Sequence, residues 1–160
     1  MSTIVHEHAA VVPAERASIR GADAALFTLR LALGAIFFAH GAKKLFGWFG
    51  GGGLDATVQF FRQNLGIPAP LAYLAVFTEF FGGIAMITGI LSRLAGLGLA
   101  ITMLVALWTV HLPNGFFLDM QGAKHGIEYN LALLAMALAV LFAGPGRLAL
   151  GDWECRMLKR

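Results

Sequence analysis

Four long apolar runs set the pattern of this chain: about Ala24–Ala42, Leu71–Leu91, Leu94–Leu112 and Ile127–Ala143. Each holds roughly 17–21 residues, close to the ~20 needed to carry a helix across the hydrocarbon core of a bilayer. The runs do not alternate polar with apolar and are too long for strands, so they predict helices. Between the first two runs, Leu54, Val58, Phe61 and Leu65 recur at helical spacing, with Gln59, Arg62 and Gln63 opposite them. That pattern predicts a short amphipathic helix over Ala56–Leu65, capped by Asp55. It is too short to span and is expected on the outer membrane surface, or dipping between spans as a lid. Gly66-Ile67-Pro68-Ala69-Pro70 and Gly144-Pro145-Gly146 supply helix-breaking chemistry at the element ends. The expected fold is all-α, a polytopic membrane four-helix bundle. Residues 1–23 form an expected mobile N-terminal tail, residues 24–146 the four-span domain and residues 147–160 a basic C-terminal tail.

Composition agrees with a membrane solvent. Of the 160 residues 58% are hydrophobic and only 13% charged, against roughly a quarter charged in soluble domains. Mean hydropathy is +0.73. The net charge of +3 does not mark a nucleic-acid binder, because its basic residues sort by topology. Arg16, Arg20, Arg93, Arg147, Arg156, Lys159 and Arg160 fall on one side of the four-span arrangement, and Lys43, Lys44, Arg62 and Lys124 on the other. The positive-inside rule then puts both termini and the short Ser92–Arg93 turn of this multi-pass chain in the cytoplasm. Trp48, Trp108 and Tyr129 fall near the outer boundary, where aromatic belts form. Charged residues interrupt residues 1–23, so no secretory leader is expected there. The lone Cys155 excludes an intrachain disulfide, His6-Glu7-His8 reads as part of a solvated tail, and Gly50–Gly53 lacks the Lys-Ser/Thr ending of a phosphate loop. Spans 1 and 3 end outside in a histidine and spans 2 and 4 carry a glutamate, though the unequal spacings define no repeat.

Glu79 is the candidate around which chemistry would be built. It is the ionisable group of the Leu71–Leu91 run, about nine residues in, where a carboxylate costs roughly 2.5–3.5 kcal/mol on insertion scales. Such a group faces the inside of a bundle and takes a partner. From the helical rise, Glu79 lies roughly 12 Å below the outer end of its span. His40 from above and Arg30 from below are each about 9 Å away in depth. Ala72, Ala75, Gly82, Gly83 and Met86 surround it at helical spacing, a mostly small face that admits a neighbouring helix. On span 1, Arg30, Gly34, Phe37, Gly41 and Lys44 share one face, while His40 groups with Lys43 and Lys44. The outer half of the bundle therefore holds His40, Lys43 or Lys44, Glu79, His111, Glu128 and Tyr129. A purely structural account stands beside this one. Arg30 and Glu79 would form a buried ion pair, Lys43 or Lys44 would snorkel, His111 would be interfacial and Glu128 would complement a helix dipole.

The motifs around these residues resemble the DoxX family. The resemblance lies in Leu29-Arg30, His40-Gly41-Ala42-Lys43-Lys44-Leu45-Phe46-Gly47, Glu79-Phe80-Phe81-Gly82-Gly83 and Gly89-Ile90-Leu91-Ser92-Arg93. It continues through Asn114-Gly115-Phe116, Gly126-Ile127-Glu128-Tyr129-Asn130 and Gly144-Pro145-Gly146, covering about Leu26–Asp152. The resemblance implies a four-helix bacterial inner-membrane protein. Some relatives are subunits of thiosulfate:quinone oxidoreductases, and others belong to membrane assemblies that handle oxidative or thiol stress. Carried over by motif, the positions of interest are Arg30, His40, Lys43 or Lys44, Glu79 and Glu128.

Three functions compete on these expectations. The first is a redox-complex subunit with a quinone-like molecule in the outer leaflet. Glu79 and His40 would relay protons, while Lys43, Lys44 or Tyr129 orient a carbonyl oxygen. No haem, flavin or iron–sulfur motif is visible, so electrons would come from a partner protein. The second is a non-catalytic scaffold that docks partners, and the third a small-molecule or proton-coupled transporter, for which four spans leave little room unless the chain forms a homo-oligomer. A metal site from His40, His111 and Glu128 is testable by elemental analysis but is not the expectation.

Overall fold

Five helices account for the regular structure in the computed structural model, with no strand among the described residues. Described are residues 14–118 and 125–151, with side chains from residue 21 onward. Helix α1 runs Ala14–Phe46, α2 Gly53–Asn64, α3 Ala69–Thr88, α4 Ser92–Ala106 and α5 Ile127–Ala143. One wide π turn, Leu107–His111, and a 3-10 turn, Leu112–Asn114, prolong α4. Three helical stretches are long and apolar enough to cross a membrane: Gly21–Phe46, Ala69–Thr88 and Ser92–Asn114. The apolar α5 has 17 residues, about 25 Å of helix against a ~30 Å hydrocarbon core.

The boundaries differ from expectation in instructive ways. Helix α1 continues through Lys43 and Lys44 to Phe46, because lysine is a good helix former and its long stem does not require the helix to stop. It also begins at Ala14, so Ala14–Asp23, expected as tail, are helical; residues 1–13, with His6, Glu7 and His8, lie outside the described residues. Asp55 is not the cap of α2. The helix starts at Gly53 after Gly52, with no side-chain cap, and Asp55 sits in the first turn. There it complements the positive end of the helix. The α3–α4 turn falls over residues 89–91, with Gly89 and Leu91 both left-handed (φ 80° and 54°). Asp119, Lys124 and Cys155 lie outside the described residues.

Packing places α1 against α3, α3 against α4, α4 against α5 and α5 back against α1, while α2 rests on α1 and α3. Leu33, Phe37, Met86, Leu99, Leu133 and Val140 belong to the buried core. Glycines bring α1 and α3 unusually close. A Cβ on Gly34 would lie 2.8 Å from the Gly83 carbonyl oxygen, and one on Gly41 would lie 2.5 Å from backbone atoms of Phe80. Small residues permit this approach where the solvent gives helices no hydrophobic reason to associate. Outward faces carry large apolar side chains, among them Leu74, Phe81, Leu94, Leu104 and Phe142. That inversion of a soluble surface is what a lipid environment requires.

Candidate functional site

The buried stripe of α3 comprises Ala72, Val76, Glu79, Gly82, Gly83 and Met86, so Glu79 is directed at α1. Its partner there is Lys44. The ammonium Nζ donates to both carboxylate oxygens, at 2.5 Å to Oε1 and 2.6 Å to Oε2. Exposure is unequal: the Glu79 side chain is 3% accessible and that of Lys44 27%. The acid is thus sealed inside, and its cation forms the link to the exterior. The Lys44 ammonium also lies 5.7 Å from the centroid of the Phe61 ring on α2, within cation–π range.

Helix α2 holds this pair from above. The single Thr57 hydroxyl proton is shared between the Gly53 carbonyl at 2.8 Å and the Lys44 carbonyl at 3.3 Å. Val58 is the buried residue of α2. Between α2 and α1 opens a cleft of about 270 Å³ lined by Lys44, Gly52, Ala56, Thr57, Phe60 and Phe61. Its walls are almost wholly apolar, and Lys44 is the charged group on them. An ammonium has three donors. Two are used on Glu79, which leaves one for an acceptor entering the cleft.

The other expected residues are distributed differently. Arg30 does not pair with Glu79. It is fully buried, donates from Nη1 to the Met86 carbonyl at 3.1 Å and from Nη2 to the Leu148 carbonyl, and lies 5.8 Å from the Phe27 ring centroid. The guanidinium reaches toward the C-terminus of α3, where free carbonyls and the negative end of the helix dipole favour a cation. His40 and Lys43 are exposed on the outward side of α1, and no described hydrogen bond joins either side chain to Glu79. His111 Nδ1 meets the His125 carbonyl at 2.9 Å. Glu128 Oε1 accepts from the Leu118 amide at 2.7 Å, and the Glu128 amide donates to the Phe116 carbonyl at 3.0 Å, fastening the loop that follows α4. Tyr129 is exposed. No cluster of metal-ligating side chains occurs among the described residues.

Two residues that matter here carried no role in the sequence beyond topology or motif. Arg93 Nη1 donates to the carbonyls of Leu141 (2.8 Å) and Phe142 (3.0 Å), closing the end of α5 as Arg30 closes the end of α3. Asn130, buried in α5, donates to the Met103 carbonyl of α4 at 2.7 Å. An arginine two residues beyond a left-handed turn, and an asparagine on an otherwise apolar span, were the available signals.

A helical membrane protein with a carboxylate and an ammonium joined inside it is the class defined by this geometry. Comparison with known proteins makes it specific. The DoxX family matches residues 25–112. A Bacillus subtilis protein named "Putative oxidoreductase CatD" is 34% identical over 112 residues, spanning 70% of this chain and 75% of that relative. An uncharacterized protein of Haemophilus influenzae is 31% identical over 134 residues, spanning 81% of this chain and 83% of the relative. No solved structure matches. The chain belongs to the DoxX family.

Proposed function

We propose that this DoxX-family membrane protein is a subunit or accessory of a membrane redox system, and that a quinone-like molecule occupies the cleft between Lys44 and α2. The observation that carries this reading is the Lys44–Glu79 pair: a sealed carboxylate bonded to an ammonium that still faces an apolar cleft. The pair is neutral as a unit, so it suits a neutral acceptor such as a carbonyl oxygen better than an anion. Lys44 would donate its remaining N–H to that oxygen, and Phe60 and Phe61 would cover the ring. Reducing a quinone to a quinol consumes two electrons and two protons. The electrons would come from a partner protein, and the protons would pass through Glu79 and Lys44, with His40, one helical turn before Lys44 on α1, as the next group in the relay. The name of the Bacillus relative, "Putative oxidoreductase CatD", agrees with this class of activity.

The topology that accompanies this reading is a four-span bundle in the bacterial inner membrane, with both termini cytoplasmic and α2 at the outer surface. It rests on the excess of basic residues flanking one set of helix ends. Quinone extracted with the purified protein, and lost in Glu79→Gln and Lys44→Met, is the expected result. A quinone-free preparation that still supports the partner's full activity overturns the proposal.

One observation favours a second reading, a scaffold without chemistry: both Glu79 oxygens are already occupied by a single ammonium. On that reading Glu79→Gln lowers thermal stability, while partner pull-down at matched protein levels is unchanged.

A further inference from the structure

Beyond α5 the chain crosses the end of the molecule opposite Lys44. Three backbone groups of this crossing are held by two other elements, α1 and α3. The Arg147 amide donates to Asp23 Oδ1 of α1 at 2.9 Å, the Leu148 carbonyl accepts from Arg30 Nη2, and the Leu150 amide donates to the Thr88 carbonyl at the end of α3 at 3.0 Å. Small residues fit the crossing to the turn beneath. A Cβ on Gly89 would meet the Ala149 side chain at 2.5 Å, and one on Gly151 would lie 2.9 Å from the Gly89 carbonyl oxygen. Ala149 and Gly151 therefore pack inward, and the leucines on either side of Ala149 do not. Leu148 is 54% and Leu150 80% exposed, although the same hydrogen bonds forbid this backbone from turning them into the core.

We propose that residues 144–151 form an interfacial anchor, with Leu148 and Leu150 seated in the phospholipid surface. The two leucines extend the apolar exterior of the spans to the level of the helix ends. Phe142, two residues before the Gly144 turn, and Leu94, in the first turn of α4, are exposed at the same end. The Arg147 side chain beside them lies with Nε 4.0 Å from Asp23 Oδ2 and is 76% exposed, so the outer part of its guanidinium is open to phosphate headgroups. A short apolar segment lying in the interface beside a basic side chain is an arrangement that binds a bilayer surface without crossing it. The buried Arg30 then gains a second task. It ties the anchor to α1 as well as closing α3.

The test uses the full chain with Cys155→Ser and a single labelling site, Leu150→Cys, carrying an environment-sensitive fluorophore. One copy is placed in each nanodisc of phosphatidylcholine with phosphatidylglycerol. Lipids brominated near the headgroup end of the acyl chain should quench the label by about twofold or more, and aqueous iodide should quench it weakly. Leu148→Cys should repeat the result. Strong iodide quenching without bromolipid quenching overturns the proposal. So does protection from iodide that arises only with two copies per disc, because the face would then be a self-contact. Arg30→Gln should move the label toward iodide, whereas Glu79→Gln should not. Should Arg30→Gln fail to fold, Asp23→Ala, which frees the Arg147 amide, replaces it. A label unmoved by the variant used removes that tether, Arg30 or Asp23, from the proposal.

Discussion

The two ends of the molecule solve the same problem in opposite ways. At one end the Arg30 cation is fully buried and answered by carbonyl oxygens of Met86 and Leu148; at the other the Lys44 cation is answered by a carboxylate and left partly open to a cleft. Carbonyls cannot take or give a proton, so the Arg30 end can only hold. A carboxylate and an ammonium can exchange one, and the cleft gives the exchange somewhere to go. The contrast separates structure from chemistry: charge in the membrane interior becomes a functional device only where it is both proton-active and reachable.

Mutations at the two ends test that contrast. The largest loss is expected for Lys44→Met, which strands a sealed carboxylate, about 3–5 kcal/mol by unfolding titration in detergent. Glu79→Gln should cost only about 1–2 kcal/mol, because the partly exposed Lys44 ammonium can turn into the cleft for water. Equal losses would show that Lys44 is as sealed as Glu79. Arg30→Leu orphans two carbonyls and falls between them, at about 2–4 kcal/mol in the same assay, without changing quinone retention. Arg93→Gln should lose about 1–2 kcal/mol, since this arginine is less buried than Arg30. Asp55→Ala should move stability least, by about 0.3–0.5 kcal/mol, because its carboxylate acts on the helix dipole and caps no amide. A loss near 1 kcal/mol or more would restore it as a cap.

The helices were legible in the sequence because a bilayer demands a length and a polarity that few other structures share. Ile127–Ala143, the fourth apolar run, has the bounds of α5. The burial of Glu79 was legible too, from the small residues about it. Its partner was not, for a physical reason. Depth along a helix locates a backbone, whereas lysine and arginine deliver their charge several ångströms away in either direction. Lys44 lies beyond the apolar run yet reaches inward along the face of Gly41. Arg30 lies well inside yet reaches back to the free carbonyls at the end of α3. Sequence periodicity had put Arg30, Gly34, Phe37, Gly41 and Lys44 on one face, but it carried no information on which way either side chain would lean. The crossing over residues 144–151 was less legible still. Its hydrogen bonds use backbone groups and partners on helices distant in sequence, as far as the 124 residues from Asp23 to Arg147.

The wide turn at Leu107–His111 has its own consequence for how this chain tolerates change in length. A π turn closes over one more residue than an α turn. Everything after it is therefore rotated by about 100° from where a straight α4 would put it. Deleting a single residue, Thr109 for instance, would let the α-helix run on unbroken. The deletion would leave the residues after it at about their present bearing, whereas straightening the turn without a deletion would carry His111 about 100° around the helix axis, away from the His125 carbonyl it now meets. The turn acts as a phase adjuster between a membrane helix and the loop it must hand over to α5.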